Sequence, residues 1–318
     1  MINTPYKDLE KGDNQIHPGM QFLIFIGIFL LLLIIGNAIG AGLITALYGL
    51  KTLTAIANLN VSAPHFINAL WILQIAGTTL PIFASPVFFA NIIVRDTDDY
   101  IKPGFRFPLG LLFLVFFIMM LSNPMIELLS NVNSRLQLPH FLNGIQKWME
   151  DSEKTAGQIS DAMLQMKTVW DMILNVLLIG LVTAIVEEFM FRGVLQTIFL
   201  RWTKNTHAAI WITAILFSAF HMEFFGFLPR LMLGVLFGYF VVWSGSIWTS
   251  VWAHFLNNGT AVVATYLFQH KLIKLNPDDQ HVFNYIAYIS TFIILFTLML
   301  IYRKIALERD IQIITDDE

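Results

Sequence analysis

The chain has 318 residues, of which 56% are hydrophobic and 13% are charged, and its mean hydropathy is +0.66. Soluble domains carry about 25% charged residues, so the composition excludes an ordinary soluble protein. The formal net charge is only -3 and no basic stripe occurs, which argues against a nucleic-acid partner. Cysteine is absent, which excludes disulfides, a thiol nucleophile and thiolate-bound zinc.

Apolar stretches of about 20 residues recur along the whole chain, and a helix of that length crosses a bilayer. The sequence therefore predicts an all-α fold, a polytopic membrane protein with about eight transmembrane helices. The predicted spans are 21–48, 66–94, 107–129, 172–200, 207–228, 229–244, 246–268 and 282–303. Residues 1–20 are a polar N-terminal tail without a convincing cleavage site, so the first apolar stretch is expected to be retained as a membrane span.

The first three transmembrane helices are expected within residues 21–130. Pro81, Pro86 and Pro124 interrupt the apolar pattern there and predict kinks, which a bundle tolerates when neighbouring groups satisfy the freed backbone. Residues 131–171 form the one long polar insertion. Its apolar side chains recur at helical spacing, which predicts an amphipathic helix or hairpin at the membrane interface.

Two pairs of glycines stand four residues apart, Gly36 with Gly40 and Gly234 with Gly238. Small residues at this spacing allow the backbones of two membrane helices to approach closely. Both pairs therefore predict helix packing and imply no chemistry.

The basic residues are distributed unequally between the two sides of the membrane. With eight spans both termini share a side, which carries Lys7, Lys11, Arg95, Lys102, Arg106, Arg201, Lys204, Arg303, Lys304 and Arg309. Outside the long insertion, the other side carries Lys51, Arg230, Lys271 and Lys274. The positive-inside rule predicts that both termini are cytoplasmic, in an integral protein of the cell (inner) membrane. Residues 304–318 are expected to form an acidic C-terminal tail.

Ionisable side chains within an apolar span are rare and usually mark a functional site. Glu187, Glu188 and Arg192 lie in the middle of the fourth predicted span. Glu188 and Arg192 are four residues apart, so they face the same side of a helix and are predicted to form an ion pair. Glu187 points about 100° away around the helix and is left to face another group.

Two further polar groups lie within later spans. Phe217 and His221 are about one helical turn apart, so the aromatic ring is expected to wall the imidazole. His254 and Asn258 are also four residues apart and are expected to project into one cavity, with Asn257 as the alternative partner. An unpaired carboxylate, two imidazoles and an amide on three helices exceed what a structural network needs.

This set of side chains suits peptide hydrolysis, which needs an activated water, an oxyanion donor and a proton for the leaving amine. A carboxylate and an imidazole can deprotonate a water, while the second imidazole and the amide donate to the oxyanion. Alternatively, Glu187, His221 and His254 are a candidate zinc-binding set with an open position for water. The spacing does not decide between these mechanisms.

Other intramembrane protease chemistries are disfavoured, because HExxH, GxSxG and a pair of intramembrane aspartates are absent.

The three motifs are EEFMFR at 187–192, FSAFH at 217–221 and HFLNN at 254–258. They resemble the EExxxR, FxxxH and HxxxN pattern of the CAAX-protease and bacteriocin-processing (CPBP, or Abi) family, which includes the type II CAAX prenyl endopeptidases. The resemblance covers about residues 172–270. It implies an eight-helix intramembrane endopeptidase. The active site would lie inside the bundle formed by the second half of the chain, in a catalytic core that spans 172–303.

The resemblance also assigns roles to individual residues. By motif, the catalytic residues are Glu187 as the carboxylate, His221 as the water-activating histidine, and His254 with Asn258 on the oxyanion side. The supporting residues are Glu188, Arg192 and Phe217. The implied partners are membrane lipids and a peptide or membrane-protein substrate, and the implied cofactor is either zinc or none.

Two other functions are compatible with the same residues. A catalytically idle member of the family would act by binding, as an immunity or scaffold protein. A proton-coupled transporter would use the glutamate and histidines as a relay, as pumps do.

Overall fold

The computed structural model of the protein describes residues 16–105, 107–277 and 282–316, with side chains as far as Glu308. These residues form twelve helices and two short 3-10 turns, His140–Leu142 and Phe224–Gly226, and no β-strand occurs among them. In chain order the helices are α1 (Pro18–Tyr48), α2 (Leu50–Ala57), α3 (Phe66–Ile93), α4 (Thr97–Ile101), α5 (Gly110–Leu121), α6 (Asn123–Asn133), α7 (Asn143–Met163), α8 (Val169–Thr203), α9 (Thr206–Phe220), α10 (Phe227–Ser244), α11 (Trp248–Gln269) and α12 (Tyr285–Asp316).

The protein is a polytopic membrane protein. Five helical stretches are long and apolar enough to cross a membrane, namely α1, α3, α8, Phe224–Ser244 and Tyr285–Glu308. A sixth is added if α5 and α6 form one bent span. Helix α9 has only 15 residues, and α11 is less apolar than the others because it carries the polar residues of the third motif. Eight crossings therefore stay a prediction.

The two ends of the chain are only partly described. Residues 1–15 of the predicted N-terminal tail, which include Lys7 and Lys11, lie outside the described residues. Arg106 also lies outside them. Helix α12 continues to Asp316, so the backbone of the predicted C-terminal tail is helical up to that residue.

The prolines of the first half lie at or near irregular helical backbone. Helices α5 and α6 meet at a 44° bend with Pro124 in the first turn of α6, where a residue without an N–H is tolerated. Helix α3 continues through Pro81 and Pro86, with wide π-helical turns at Ile75–Thr79 and Phe89–Ile93 on either side of them. The kink predicted at Pro124 is confirmed, whereas Pro81 and Pro86 lie within one continuous helix.

Helix α7 forms most of the predicted amphipathic insertion. It buries Ala162 and Met163 against Phe66 and Leu70 of α3. On the rest of its surface, large apolar side chains such as Trp148 are exposed. One exposed apolar face on an otherwise polar helix is typical of a helix lying in the membrane interface.

Helix α8 is the central helix of the bundle. Every residue from 186 to 200 is buried, because α1, α3, α4, α9, α10 and α11 all contact this helix.

A Cβ atom at Gly234 would lie 3.0 Å from Ala214 Cβ, and one at Gly36 would lie 2.2 Å from the Ala76 carbonyl oxygen. The predicted close packing at both glycine pairs is therefore present, between α9 and α10 and between α1 and α3.

At one end of the bundle, the connection between α4 and α5 packs against the connection between α10 and α11. Ser246 Oγ donates to the Gly104 carbonyl at 2.6 Å, and the Ile247 amide donates to the Lys102 carbonyl at 3.1 Å. The side chain of Lys102 is buried here, and this desolvation lowers its pKa to about 8.

A second set of hydrogen bonds ties the insertion to the second half of the chain. The Asn133 side chain donates to the Phe224 carbonyl at 2.7 Å and accepts from the Leu228 amide at 3.0 Å. The Gln269 side chain donates to the Leu164 carbonyl at 2.9 Å. Residues near the two ends of the insertion therefore contact the turn before α10 and the end of α11.

Candidate active site

The buried part of α8 contains the ion pair between Glu188 and Arg192. Arg192 Nη1 lies 2.7 Å from Glu188 Oε1, and both side chains are fully buried. The guanidinium lies 4.1 Å from the ring centroid of Phe217, and Nη2 donates to the Gly234 carbonyl at 3.4 Å. Helix α8 widens into a π-helical turn at Phe189–Leu195, a form that is frequent at functional sites.

Glu188 also accepts a hydrogen bond from α11. His254 Nδ1 lies 2.9 Å from Glu188 Oε1. Because a carboxylate can only accept, Nδ1 carries the hydrogen and donates it. One carboxylate oxygen thus binds both Arg192 and His254, and this second bond was not foreseen because it joins two separate helices.

Glu187 faces both imidazoles. Its Oε2 atom lies 3.8 Å from His221 Nε2 and 3.9 Å from His254 Nε2, and has no hydrogen-bond partner among the described residues. His221 Nδ1 lies 2.8 Å from the Phe217 carbonyl oxygen, which can only accept, so this Nδ1 also carries its hydrogen. In their neutral forms, both histidines therefore turn an Nε2 lone pair toward Glu187.

Two phenylalanines wall the histidines. The ring centroid of Phe217 lies 5.0 Å from that of His221 and 5.8 Å from that of His254, edge to face in both cases. Phe237 of α10 stacks on His254 at 5.3 Å. The contact of Phe217 with His221 follows from their spacing, whereas Phe237 was missed because nothing in the sequence distinguishes it from other phenylalanines in apolar spans.

Asn258 lies one turn beyond His254 on α11 and has other hydrogen-bond partners. Its amide nitrogen donates to the Ile179 carbonyl at 3.3 Å, and its amide oxygen accepts from Asn257 at 3.1 Å. Ile179 lies in a second π-helical turn of α8, Val176–Val182. Within the described residues, Asn258 has no hydrogen bond to the other candidates. The structure thus brings six of the seven candidate side chains into one cluster and leaves Asn258 a turn away.

The cluster is buried but open on one side. The side chain of Glu187 is 11% exposed and that of His221 is 26% exposed. His221 ends α9, and in the turn that follows, Glu223 forms an ion pair with Arg230. Arg230 also interacts electrostatically with Glu187. In the sequence, Arg230 counted only toward the charge of one side of the membrane, although its position at the start of the predicted span 229–244 was a usable signal.

The candidate zinc ligands lie further apart than the ligand atoms of a tetrahedral zinc site. Zinc–ligand bonds of about 2.0–2.1 Å in a tetrahedral site place neighbouring ligand atoms about 3.3–3.4 Å apart, which is shorter than the 3.8 and 3.9 Å separations at Glu187. The described residues contain no group of three His, Cys, Asp or Glu side chains placed to hold a metal ion. Glu187, His221 and His254 as they stand do not fit a zinc site, so no step below passes through a metal.

Comparison with known proteins locates a family domain in the second half of the chain. Residues 169–260 match the family described as type II CAAX prenyl endopeptidase Rce1-like. The chain is similar to Uncharacterized protein YpbD of Bacillus subtilis (strain 168), with 27% identity over 143 residues that cover 43% of this chain and 67% of that protein. No solved structure matches the chain. The matched family segment contains all three motifs, from Glu187 to Asn258, and residues 169–260 are therefore a domain of the Rce1-like type II CAAX prenyl endopeptidase (CPBP) family.

Proposed function

We propose that the protein is an intramembrane endopeptidase in which Glu187 and His221 activate a water molecule. The observation that carries this proposal is the convergence of Glu187 Oε2 with Nε2 of His221 and of His254, at 3.8 and 3.9 Å. All three atoms are acceptors when the histidines are neutral, and the separations exceed a direct hydrogen bond. A water between them donates one hydrogen to Glu187 and one to an imidazole, and keeps a lone pair for a peptide carbonyl.

In the proposed hydrolysis, Glu187 first takes up a proton and later releases it. The water oxygen attacks the carbonyl carbon while its proton passes to Glu187, and the carbonyl oxygen becomes an oxyanion. When the C–N bond breaks, protonated Glu187 gives its proton to the leaving nitrogen. His221, held through Nδ1 by the Phe217 carbonyl, orients the water and accepts its second hydrogen bond.

His254 and Asn258 are the proposed donors to the oxyanion. The carboxylate of Glu188 holds Nδ1 of His254, and a doubly protonated ring would donate to the oxyanion from Nε2. Asn258 uses one amide hydrogen for the Ile179 carbonyl, and the other has no partner in the described part of the chain. Donors fixed before the reaction stabilise the developing charge without reorganisation.

The proposed substrate is a peptide or a membrane protein, as the family match implies. The proposed catalytic core is 172–303, preceded by three transmembrane helices within 21–130 and by the interfacial insertion. The ring centroid of Trp148 in α7 lies 5.2 Å from that of Phe224, in the turn that follows His221. Helix α7 therefore borders the open side of the cluster, where a substrate would enter.

We also propose eight membrane crossings with both termini cytoplasmic. If α9 and α11 did not cross, the connection after α10 would lie on the opposite side of the membrane from the connection between α4 and α5. The hydrogen bonds from Ser246 to Gly104 and from Ile247 to Lys102 join these two connections. They favour an arrangement in which α9 crosses, and α11 then has to cross as well for both termini to share a side.

Hydrolysis by the purified full-length protein in lipid vesicles is the direct test. The protein is incubated with a mixed peptide library in heavy-oxygen water, and mass spectrometry detects new carboxyl termini that carry the isotope. Wild type is expected to form them and Glu187→Gln is not, because an amide cannot take up the proton of the water. Glu308→Gln, which changes a carboxylate that is 61% exposed, is the matched control and keeps full activity.

The same assay decides the alternatives. Activity is expected to survive chelation; loss with a chelator and recovery with zinc would replace the metal-free scheme. Equal product from wild type and Glu187→Gln would contradict the assignment of the catalytic carboxylate. No product from wild type, together with proton flux that requires Glu187, would indicate a transporter.

A further inference from the structure

A groove on the outside of the bundle is lined by residues from α6, α9, α10 and α12 and includes none of the candidate active-site residues. Its volume is about 530 Å³, within the range of about 300–1,000 Å³ that is typical of ligand pockets. Most of the lining is apolar, for example Met125, Leu236, Trp243, Phe292 and Phe296.

One end of the groove is polar and positively charged. His207 Nδ1 lies 2.6 Å from the Tyr239 hydroxyl, and Thr206 and Arg303 line the groove beside them. The next residue after Arg303, Lys304, pairs with Glu308 at 3.7 Å. Arg303 itself has no acidic partner among the side chains that the structure describes.

The apolar wall of the groove faces the lipid. Phe292, Phe296 and Leu300 of α12 are exposed within a helix long and apolar enough to cross the membrane. Arg303 stands at the end of this apolar stretch, where a membrane interface begins. An apolar partner helix in the groove would cover Arg303 without offering it an acceptor, which is unfavourable for a charged group.

We propose that this groove binds an anionic phospholipid, with one acyl chain along α10 and α12 and its phosphate at Arg303. Basic pockets between transmembrane helices on the cytoplasmic side are suited to anionic head groups, and the hydroxyl of Thr206 adds a hydrogen-bond donor. This binding site is separate from the proposed catalytic cluster and does not depend on its activity.

Quenching of tryptophan fluorescence tests the proposal, because Trp243 lines the groove. The full-length protein is placed in phosphatidylcholine vesicles that contain rising fractions of phosphatidylglycerol or phosphatidylcholine with brominated acyl chains. Brominated phosphatidylglycerol is expected to quench at a several-fold lower mole fraction than brominated phosphatidylcholine. This difference is expected to disappear in Trp243→Phe, which removes the reporter, and in Arg303→Gln.

Matched variants separate a binding site from general surface charge. Lys304→Gln makes the same change of charge one residue away and is expected to keep the preference, and so is Arg303→Lys. Equal quenching by the two lipids in wild type would overturn the proposal, as would equal loss in Lys304→Gln and Arg303→Gln. Glycerol phosphate, which lacks acyl chains, is expected not to compete; full competition would show an anion site without the acyl groove.

Discussion

Glu187 and Glu188 are neighbours in sequence, but their surroundings differ. Glu188 is fully buried and bonded to Arg192 and His254, whereas Glu187 Oε2 has no hydrogen-bond partner among the described residues. Removing one partner of a buried ion pair typically destabilises a protein by about 3–5 kcal/mol, because a buried charge is left uncompensated. The two carboxylates should therefore respond differently to substitution.

We expect Glu188→Ala and Arg192→Ala to lower the free energy of unfolding by about 3–5 kcal/mol each, and Glu187→Ala to lower it far less. The measurement is unfolding of the purified protein in detergent, followed by tryptophan fluorescence. The double variant Glu188→Gln/Arg192→Met should be more stable than Arg192→Met alone, because it leaves no buried charge unpaired. Equal unfolding midpoints for the three alanine variants would refute the pairing.

At this scale the sequence predicts contacts within one helix and misses contacts between helices. The contacts of Glu188 with Arg192 and of Phe217 with His221 follow from helical geometry alone. The bond from His254 to Glu188 depends on how α11 packs against α8. The hydrogen bond from Asn258 to the Ile179 carbonyl likewise depends on how α11 packs against the π-helical turn of α8.

At the scale of single helices, Gly234 determines how closely α10 approaches α9, because glycine has no side chain. A Cβ there would lie 3.0 Å from Ala214 Cβ, and the carbonyl of the same residue accepts a hydrogen bond from Arg192. The approach of α9 to α10 and the environment of the buried guanidinium are therefore linked. A change in the spacing of the two helices should also disturb the cluster.

We expect Gly234→Ala to destabilise the protein by about 1–3 kcal/mol through overpacking, and to reduce any peptidase activity. Gly42→Ala in α1 is the matched control, because a Cβ at Gly42 has no atom within 4 Å and alanine favours a helix by up to about 1 kcal/mol. Chemical unfolding of both variants in detergent measures the difference. If both changes had the same effect, close packing at Gly234 would not be limiting.

The sequence predicts the existence of the helices better than their ends. The fifth predicted span, 207–228, ends as a helix at Phe220, and α10 begins at Phe227. The residues between them are mostly apolar, so hydropathy extends the span across a turn. The turn exists because Asn133 satisfies its backbone from α6, and a contact so distant in sequence leaves no local signal.

At the scale of the whole molecule, the hydropathy of α11 disagrees with its position in the bundle. This helix lies among the buried elements, yet the polar residues that form the third motif lower its apolarity below that of a typical span. A disagreement between local pattern and fold is expected at a functional site. The number of crossings therefore has to be established by labelling.

The absence of cysteine makes the topology directly measurable. Lys51→Cys, Ser244→Cys and Lys304→Cys each introduce a single thiol for a membrane-impermeant maleimide. Eight crossings predict labelling from outside the cell at position 51 only, whereas six crossings that omit α9 and α11 predict it at 244 as well. The unmodified chain is the unlabelled control. External labelling at 244 would reject the eight-helix arrangement.

The bonds of Glu188 also bear on how such proteins diverge. Because this carboxylate compensates a buried arginine and also fixes the tautomer of His254, its loss would damage folding before it affected any reaction. Glu187 Oε2 makes no hydrogen bond among the described residues. Under the proposed function, relatives that lose hydrolysis are therefore expected to vary first at the position of Glu187, and to keep the glutamate beside it and the arginine four residues further on.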